Sequence, residues 1–388
     1  MSWEKQKAED YCAGVTDGTH DSPKAVESGR YLITSKHLGE YEIDFSSAKL
    51  ISEEDYQKVI SRSRVAQWDI LFSMIGTIGN TYLEKNEIVE YACKNMGIFQ
   101  MGGDKQKAYW LYYFLKSPQA YQYIISQLRG STQQYVPLGG LREFPIPVPS
   151  DQIRDKIIDV LKVIDEKIET NKRINRNLLE QLDLEWNNIF NGVPMDISLG
   201  NVVRTTSGGT PSRKNALFYE GGDVYWVKSK ELCGSFIVDT EEKITEIAIQ
   251  KSSAKLIPAY SILIAMYGAT VGEYAIITEN MTCNQAICAL IPSEEYPSSY
   301  LFELAKQSKE KLINMAIGSA QQNISQILIK QLQIHSDKGK INQYTAFAEP
   351  MMKLIENNIK ENIQLVGLRD SLLPKLMSGE LDISDLNI

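Results

Sequence analysis

The sequence is poor in the features on which most enzymes depend. Its 388 residues include only three histidines and five cysteines, with no Cys-x-x-Cys pair, so neither a disulfide framework nor a zinc site is indicated. The phosphate-loop motif G-x-x-x-x-G-K-[ST], the metalloprotease motif H-E-x-x-H and a strand-linked G-x-G-x-x-G are missing. No Asn/Asp-Pro-Pro-Tyr/Phe motif of amino-methyltransferases occurs. We therefore expect no catalytic site and no metal site in this chain.

The sequence also lacks long apolar runs and a positive net charge. No segment approaches the roughly 18 apolar residues of a membrane-spanning helix, and cysteines without a disulfide pattern favour a reducing compartment. We therefore expect a cytoplasmic protein with no membrane partner. The net charge of −8 argues mildly against nucleic-acid binding. Local clusters such as Arg62–Arg64 and Lys228–Lys230 can still bind phosphate, or they can simply form a solvated surface.

What the sequence does contain is one pattern written twice, a globular stretch followed by a long amphipathic segment. The segment Ser150–Phe190 returns as Ser336–Met377, and Asn175 matches Asn362 at a shift of 187 residues. The 3-4 spacing of apolar residues is typical of a left-handed coiled coil. Each helix would be about 57 Å long at 1.5 Å per residue. Because a bare apolar stripe is unstable in water, we expect the two helices to pack together.

Four asparagines interrupt the two apolar seams at equivalent central places. Asn171 and Asn175 lie in the first seam, and Asn358 and Asn362 lie in the second. In an antiparallel pair of helices these four side chains would meet, and the two globular regions would lie at opposite ends. Buried asparagines lower stability but can fix helix register, which is the role we predict for them. The alternative is that all four are exposed on curved surface helices.

The helix ends and one internal proline carry their own expectations. Ser150 and Ser336 are the predicted N-caps, because a serine hydroxyl can accept from the first free backbone N–H groups. Gly192 and Gly379 are the predicted stops. Pro350 interrupts the second helix, so we expect a kink there or a break.

The predicted boundaries follow from this pattern: a first globular domain at 1–148, a first spacer helix at 149–192, a second globular domain at 193–335, and a second spacer helix with a C-terminal tail at 336–388. A helix is expected around Tyr109–Leu128, and the proline-rich Phe144–Pro149 predicts an extended linker. Gly76–Gly79 and Gly268–Gly272 are more typical of tight turns after strands than of phosphate loops.

Several short segments, in this order, resemble the specificity (S) subunits of type I restriction-modification systems. They are Thr16–Pro23, Thr206–Ser212 followed by Tyr225-Trp226, the two Gly-Ser-x-Gln-Gln segments at 130–134 and 318–322, and Leu372–Glu380. The resemblance covers nearly the whole chain and rests on the combination rather than on any one motif. It implies an α+β fold in which two target-recognition domains of mixed α/β type are separated by two long helices. These helices would form an antiparallel coiled coil with an internal pseudo-twofold repeat.

The resemblance also implies a function. Such a chain is the non-catalytic DNA sequence-recognition subunit of its complex, and each globular domain reads one half of a bipartite double-stranded target. The helices set the spacing and dock two methyltransferase (modification) subunits, and a restriction/translocase subunit can join. No cofactor is expected on this chain, because S-adenosylmethionine, ATP and Mg²⁺ would belong to the partners. A metal-dependent nuclease and a coiled-coil scaffold or adhesion-like protein without DNA specificity stay open as alternatives.

Candidate DNA contacts come from polar residues at matching places in the two domains. Serine and lysine can contact phosphate, and a glutamine in a loop can pair bidentately with adenine. The alternative for each lysine is a solvated side chain without a DNA contact, and the alternative for the glutamines is a loop that packs against the end of a long helix. The candidates are Ser35, Lys36, His20, Gln133 and Gln134 in the first domain, and Arg213, Lys214, Ser229, Lys230, Gln321 and Gln322 in the second.

Overall fold

The computed structural model describes residues 3–317, 323–381 and 383, and the chain divides into two compact units. The first unit comprises Met1–Glu169 and Leu365–Ile388, and the second comprises Thr170–Gln364. Both boundaries fall inside the long helices, so each unit consists of a globular domain and one segment of each long helix.

The first unit begins with strands and closes on the first long helix. Its strands are β1 Glu4–Lys7, β2 Gly14–Asp17, β3 Arg30–Ile33, β4 Lys49–Ile51, β5 Ile70–Ser73, β6 Thr81–Leu83, β7 Tyr91–Cys93, β8 Met96–Gln100 and β9 Pro145–Val148. Its helices are α1 Ala8–Tyr11, α2 Glu53–Ser63, α3 Lys105–Leu115, α4 Pro118–Gln127 and α5 Leu138–Arg142, after which α6 runs over Asp151–Phe190. A short 3-10 turn covers Ser35–His37.

Two small sheets organise the first globular domain. One has the antiparallel order β2-β8-β5-β6, and the other has the order β4-β3-β7, in which β3 and β7 are parallel. The α3 helix buries Trp110 and Tyr113 against the four-stranded sheet, together with Phe72 and Phe99. The core therefore lies between this sheet and the helices.

The second unit repeats this plan. Its strands are β10 Met195–Ser198, β11 Arg204–Ser207, β12 Val224–Val227, β13 Phe236–Ile237, β14 Lys243–Ile244, β15 Ile262–Ala265, β16 Tyr274–Ile277, β17 Thr282–Cys283, β18 Ile287–Ile291 and β19 Gln333–His335. Its helices are α7 Leu199–Val202, α8 Glu246–Lys251, α9 Ser298–Ile317 and α10 Gln326–Lys330, followed by α11 Lys338–Ser378. The sheet orders are β11-β18-β15-β16-β13 and β14-β12-β17, with β12 and β17 parallel. Apart from the additional strand β13, which is parallel to β16, the internal repeat predicted from sequence is therefore a repeat of topology.

Two local expectations in the first domain were wrong. The helix predicted around Tyr109–Leu128 is two helices, because Ser117 ends α3 and its hydroxyl accepts from the Ala120 N–H at 3.2 Å to start α4. The predicted linker Phe144–Pro149 is largely the strand β9, paired antiparallel with β1. Prolines are tolerated in this two-stranded ribbon because one side of the strand needs no N–H donor.

The long helices begin and end close to the predicted residues, with one correction. The Ser150 carbonyl accepts from the Arg154 N–H at 2.9 Å at the start of α6. The predicted cap Ser336 was wrong, because Asp337 Oδ1 accepts from the Lys340 N–H at 3.1 Å while the Ser336 hydroxyl donates to Asp196. Gly192 and Gly379 follow the two helices with φ values of 71° and 69°, as predicted stops should.

Pro350 does not break the second long helix. The helix α11 is continuous over Lys338–Ser378, and Pro350 lies on its exposed side. On that side water can satisfy the carbonyl that loses its N–H partner, so the break is excluded while the kink stays a prediction.

The four asparagines meet inside the second unit. Asn171 Nδ2 donates to Asn362 Oδ1 at 2.9 Å, and Asn358 Nδ2 donates to Asn175 Oδ1 at 2.8 Å. The residue numbers of the partners decrease along α11 as they increase along α6, so the two helices pack antiparallel here. Asn171 is fully buried, and Asn175 and Asn358 are buried too, which rules out the exposed alternative for these three. The role of the asparagines in fixing register stays a prediction.

Candidate nucleic-acid interface

In the first domain, the two parallel strands end at one edge and carry polar residues there. Strand β3 leads into the 3-10 turn that holds Ser35 and Lys36, and β7 leads into Lys94 and Asn95. The Lys94 N–H donates to the Ile33 carbonyl at 2.9 Å, so the two strand ends lie side by side. Lys36 is exposed and Ser35 is half-buried. This edge brings together side chains that suit phosphate and base contacts.

The second domain builds the same edge from different residues. Strand β12 leads into the 3-10 turn that holds Ser229 and Lys230, and the Asn284 N–H after β17 donates to the Val227 carbonyl at 2.9 Å. In each of the two turns, a backbone N–H donates to the side chain of the residue three positions later. The Thr34 N–H donates to His37 Nδ1 at 2.8 Å, and the Lys228 N–H donates to Glu231 Oε2 at 2.6 Å.

Equivalent glycines bring a third segment to each edge. The Thr19 N–H donates to the Cys93 carbonyl at 2.9 Å, and the Gly209 N–H donates to the Cys283 carbonyl at 2.8 Å. A Cβ at Gly18 would lie 2.3 Å from the Cys93 carbonyl oxygen, and one at Gly208 would lie 2.1 Å from that of Cys283. Only glycine permits this approach, which explains why both related segments contain it.

His20 is held in place at the first edge by two side chains. Its Nδ1 lies 2.9 Å from Asn95 Oδ1, and its Nε2 lies 2.9 Å from Asp17 Oδ2. Arg62 Nη2 donates to the Gly18 carbonyl at 3.2 Å. His20 and Arg62 line one surface groove of about 810 Å³, in which the basic side chain of Lys58 also lies. The basic side chains suit a phosphate backbone, while Asp21 and Asp55 also line the groove and Arg62 pairs with Asp17 at 3.5 Å, which weakens this attraction.

Gln133 and Gln134 lie on an exposed loop tip beside the same edge. Arg129 and Tyr135 close this loop through two backbone hydrogen bonds of 2.9 Å each, and the Val136 N–H donates to the Met74 carbonyl at 3.0 Å. The loop therefore lies next to the turn that follows β5. Both glutamine side chains are exposed rather than packed against a helix.

In the second domain, the structure describes only the C-terminal end of the corresponding loop, from residue 323 onwards. Gln321 and Gln322 lie outside the described residues. Beyond them, the Ile324 N–H donates to the Met266 carbonyl at 2.9 Å, as Val136 does to Met74 in the first domain. The turns Gly76–Gly79 and Gly268–Gly272 join sequential antiparallel strands in both domains, which agrees with tight turns.

In the second domain, acidic residues hold most of the candidate cations. Arg213 pairs through both terminal nitrogens with the carboxylate of Glu242, and its guanidinium lies 4.3 Å from the centre of the Tyr219 ring. The hydrogen bond from Arg213 lowers the pKa of Glu242 to about 2. Lys230 Nζ pairs with Glu241 at 2.6 Å, whereas Lys214 is exposed. The phosphate-binding capacity predicted here is therefore partly neutralised within the domain.

Sequence analysis missed the residues that follow the second parallel strand of each domain. Lys94 and Asn95 follow Cys93, and Asn284 and Gln285 follow Cys283. The two Cys residues lie at the same shift of 190 residues as Thr16 and Thr206, so the repeat itself was the available signal. The segments that follow Cys93 and Cys283 are short, so their equivalence was not recognised from the sequence.

Other kinds of site find little support in the part of the chain that the structure describes. No group of three or more His, Cys, Asp and Glu side chains is placed to hold a metal ion there. Among the same residues, none of the helices combines the length and the apolar character needed to cross a bilayer.

Two domains of one topology, each with polar loops gathered at equivalent strand ends, define a duplicated recognition protein. The chain belongs to the family of the type I restriction modification DNA specificity domain, whose model matches residues 24–180 and 195–336. The resemblance noted in the sequence is thereby confirmed, and so is the fold class of two mixed α/β domains with a packed pair of long helices.

Known proteins of this kind match almost the full chain. It is 24% identical to the type I restriction enzyme MjaIX specificity subunit of Methanocaldococcus jannaschii, over 99% of this chain and 94% of the relative. It is 22% identical to the HindI specificity subunit of Haemophilus influenzae, over 83% of this chain and 88% of the relative. The crystal structure of a type I S subunit from M. genitalium has the same fold, with a TM-score of 0.58 at 15% identity over 97% of this chain and 96% of that one.

Proposed function

We propose that this chain is the non-catalytic DNA sequence-recognition subunit of a type I restriction-modification complex. Each globular domain contacts one half of a bipartite duplex target through the loops at its parallel strand ends. The observation that carries the proposal is the equivalence of the two edges, in which the same backbone hydrogen bonds hold different side chains. One scaffold with two sets of side chains suits a target with two different halves.

The chemistry of each edge divides into positioning and base recognition. Lys36, Arg62 and Lys214 are cations that suit phosphate oxygens, which set the register of a protein on the duplex without carrying sequence information. Amides and hydroxyls such as those of Gln134 and Ser229 suit base edges in the major groove. Two half-sites bound together multiply their specificities, because the second half binds at high effective concentration.

The long helices are long enough for a gap of several base pairs between half-sites, because the duplex rises about 3.4 Å per base pair. The 40 residues of α6 correspond to about 60 Å at 1.5 Å per residue. We propose that these helices set the gap between half-sites and dock two methyltransferase subunits. A restriction/translocase subunit would complete the nuclease. S-adenosylmethionine, ATP and Mg²⁺ would be bound by those partners, and the family name of the relatives as restriction-enzyme specificity subunits supports this division of labour.

Selection from random duplex DNA tests the proposal. The chain, co-purified with its modification subunits, would be incubated with a random-sequence library and the bound DNA sequenced. We expect two short conserved blocks separated by a gap of fixed length. A single continuous block, or no enrichment by a complex of full composition, would reject the proposal.

Assays of the chain purified without partners separate the alternatives. A nuclease would cleave DNA in a Mg²⁺-dependent way when the chain is assayed without partners. A scaffold without DNA specificity would show no salt-dependent affinity for duplex DNA. The proposed subunit alone should bind weakly, with an affinity that falls steeply as salt rises.

A further inference from the structure

One pair of side-chain contacts occurs at the same place in both domains, although the residues differ. In the first domain His20 contacts Asn95, and in the second Thr210 contacts Gln285. The shift is 190 residues for both members of the pair. Of these four residues, only His20 was predicted from the sequence as a DNA contact. The contact occurs in both domains although different residue types make it.

In the first domain the geometry fixes the amide of Asn95. Its Oδ1 lies 2.9 Å from His20 Nδ1, and His20 is in turn anchored by the 2.9 Å contact of its Nε2 with Asp17. The Asn95 backbone has φ = 53°, a left-handed conformation that asparagine tolerates better than most residues. The Asn95 N–H donates to the Thr19 carbonyl at 3.1 Å. Backbone and side chain therefore both hold this residue.

In the second domain the Thr210 hydroxyl donates to Gln285 Oε1. Gln285 is exposed and follows Asn284, whose Oδ1 accepts from the Ala286 N–H at 3.1 Å. The amide oxygen of Gln285 is thereby occupied, and among the described residues no side chain or carbonyl accepts a hydrogen bond from its Nε2. In the first domain the tautomer of His20 decides which end of the Asn95 amide faces the ring, because His20 Nε2 faces the Asp17 carboxylate and the Nδ1 of a neutral ring is an acceptor. Each edge thus presents a side-chain amide held by a neighbouring side chain.

We propose that Asn95 and Gln285 are equivalent specificity-determining residues, each pairing through its side-chain amide with a base edge of its own half-site. The inference rests on the proposed function and assigns the residues that perform it. His20 and Thr210 are positioning residues, because each holds the amide of its partner in place.

The chemistry of the donor limits the base. In the major groove, guanine offers the acceptors O6 and N7, adenine offers N7 and thymine offers O4. The Gln285 amide, whose oxygen is already occupied, meets these acceptors through its N–H₂ group and has nothing to accept from cytosine N4. Guanine fits best, because it presents two adjacent acceptors. Gln285 therefore selects an acceptor-bearing edge, with guanine preferred, at one position of its half-site.

Isosteric variants test the assignment in the full complex with modification subunits. Asn95→Asp and Gln285→Glu keep size and shape but replace the N–H₂ donor with an acceptor. Asn95→Gly removes the side chain and tolerates the left-handed backbone, and Gln285→Ala removes an exposed side chain. Gln119→Ala, an exposed amide on α4, is the control for the first domain. Bound DNA would be selected from a random library and sequenced, as for the wild type.

We expect Asn95→Gly to relax one base position of one half-site by roughly 5- to 150-fold, and Gln285→Ala to relax one position of the other. Gln285→Glu should shift the preference at its position towards cytosine or adenine, which carry amino groups, and Asn95→Asp should change the preference at its own position. Gln119→Ala should leave both half-sites unchanged. Unchanged motifs in the variants, or an equal loss of binding to all sequences, would overturn the inference. If the wild-type complex itself yields no two-block motif, the proposed function fails instead.

Discussion

The two units secure their long helices with different chemistry at equivalent positions. In the first unit Arg369 Nη1 on α11 pairs with Asp165 Oδ1 on α6 at 3.0 Å and with Glu40 of the globular domain at 2.6 Å. The 187-residue shift places Leu182 and Met352 at the positions of Arg369 and Asp165 in the second unit, and both are buried apolar residues there. An ionic contact and an apolar contact therefore occupy one place in the same scaffold.

The second unit surrounds its apolar contact with aromatic rings. Trp186 lies 4.4 Å from Phe190 and 5.2 Å from Tyr344, measured between ring centres, and Tyr300 lies 5.1 Å from Trp186. Such packing contributes broadly and tolerates exchange among apolar residues of similar volume. The ionic cluster tolerates fewer substitutions, because loss of one member leaves a buried charge without a partner. At this place the repeat preserves the backbone topology while the side-chain contact differs.

The largest expected effect comes from breaking the ionic cluster. Arg369 and Asp165 side chains are each only 8% exposed, so Arg369→Ala should destabilise the first unit by about 3–5 kcal/mol. The double variant Asp165→Met with Arg369→Leu gives the first unit the residues of the second and should keep most of the stability. Denaturant unfolding measures the difference. Equal losses in the single and double variants would contradict the account.

A pH dependence should distinguish the second unit from the first. Burial raises the pKa of Glu303 to about 7, against the attraction of Lys306, whose Nζ lies 3.8 Å away, and with Asp183 nearby. A carboxyl group with a raised folded-state pKa binds more protons when folded. Stability is therefore full below about pH 4.5 and falls on the order of 3 kcal/mol as the pH rises to 7.

Glu303→Gln should remove this loss, so that the unfolding free energy at pH 8 rises relative to that at pH 5. Glu40 in the first unit behaves oppositely. Burial opposes its ionisation, but Lys116 and Arg369 lower its pKa overall. Its contribution is present above the unfolded pKa and is lost as the pH falls through the folded one. If Glu303→Gln left the pH profile of unfolding unchanged, burial of the Glu303 carboxylate would not be the cause of a loss of stability as the pH rises.

The shared scaffold predicts equal effects at equivalent glycines. Gly18→Ala and Gly208→Ala each force a Cβ against a backbone carbonyl oxygen, at 2.3 Å and 2.1 Å respectively. Each should cost about 1–3 kcal/mol, as overpacking does. Gly139→Ala is a suitable control, since nothing lies within 4 Å of its added Cβ. Thermal unfolding of the three variants tests the equivalence, and a cost confined to one domain would break it.

The smallest expected effect concerns the acidic residues of the second edge. Glu242→Gln releases Arg213 and Lys228, which it now pairs with, for phosphate contacts. Affinity of the complex for nonspecific duplex DNA should rise, and the dependence of log K on log salt should steepen by about one to two. Glu87→Gln, an exposed residue of the first unit, changes the net charge equally and is the control. Equal effects of the two variants would show that only net charge matters.

The sequence was most informative where chemistry repeats along the chain. The meeting of the four asparagines followed from apolar and polar periodicity. The linker at Phe144–Pro149 was misassigned, because its partner β1 lies far away in sequence and proline content alone indicated extended chain. Long-range pairing of this kind leaves no local signal.

The candidate interface was predictable only in part for the same reason. The turns with Ser35 and Ser229 were found from matching segments. Asn95 and Gln285 were not predicted, because the contacts that support their proposed role are with residues about 75 positions away. Arg213 was identified as a cation, but its pairing with Glu242 depends on the tertiary fold.

The central claim is that each globular domain recognises its own half of a split target. It is tested most directly by sequencing methylated bases in genomic DNA from cells that carry the complex with residues 195–336 replaced by the corresponding domain of a relative. The account predicts that one half of the methylated motif changes while the other half and its methylation persist. A motif that changes in both halves, or in neither, would contradict it.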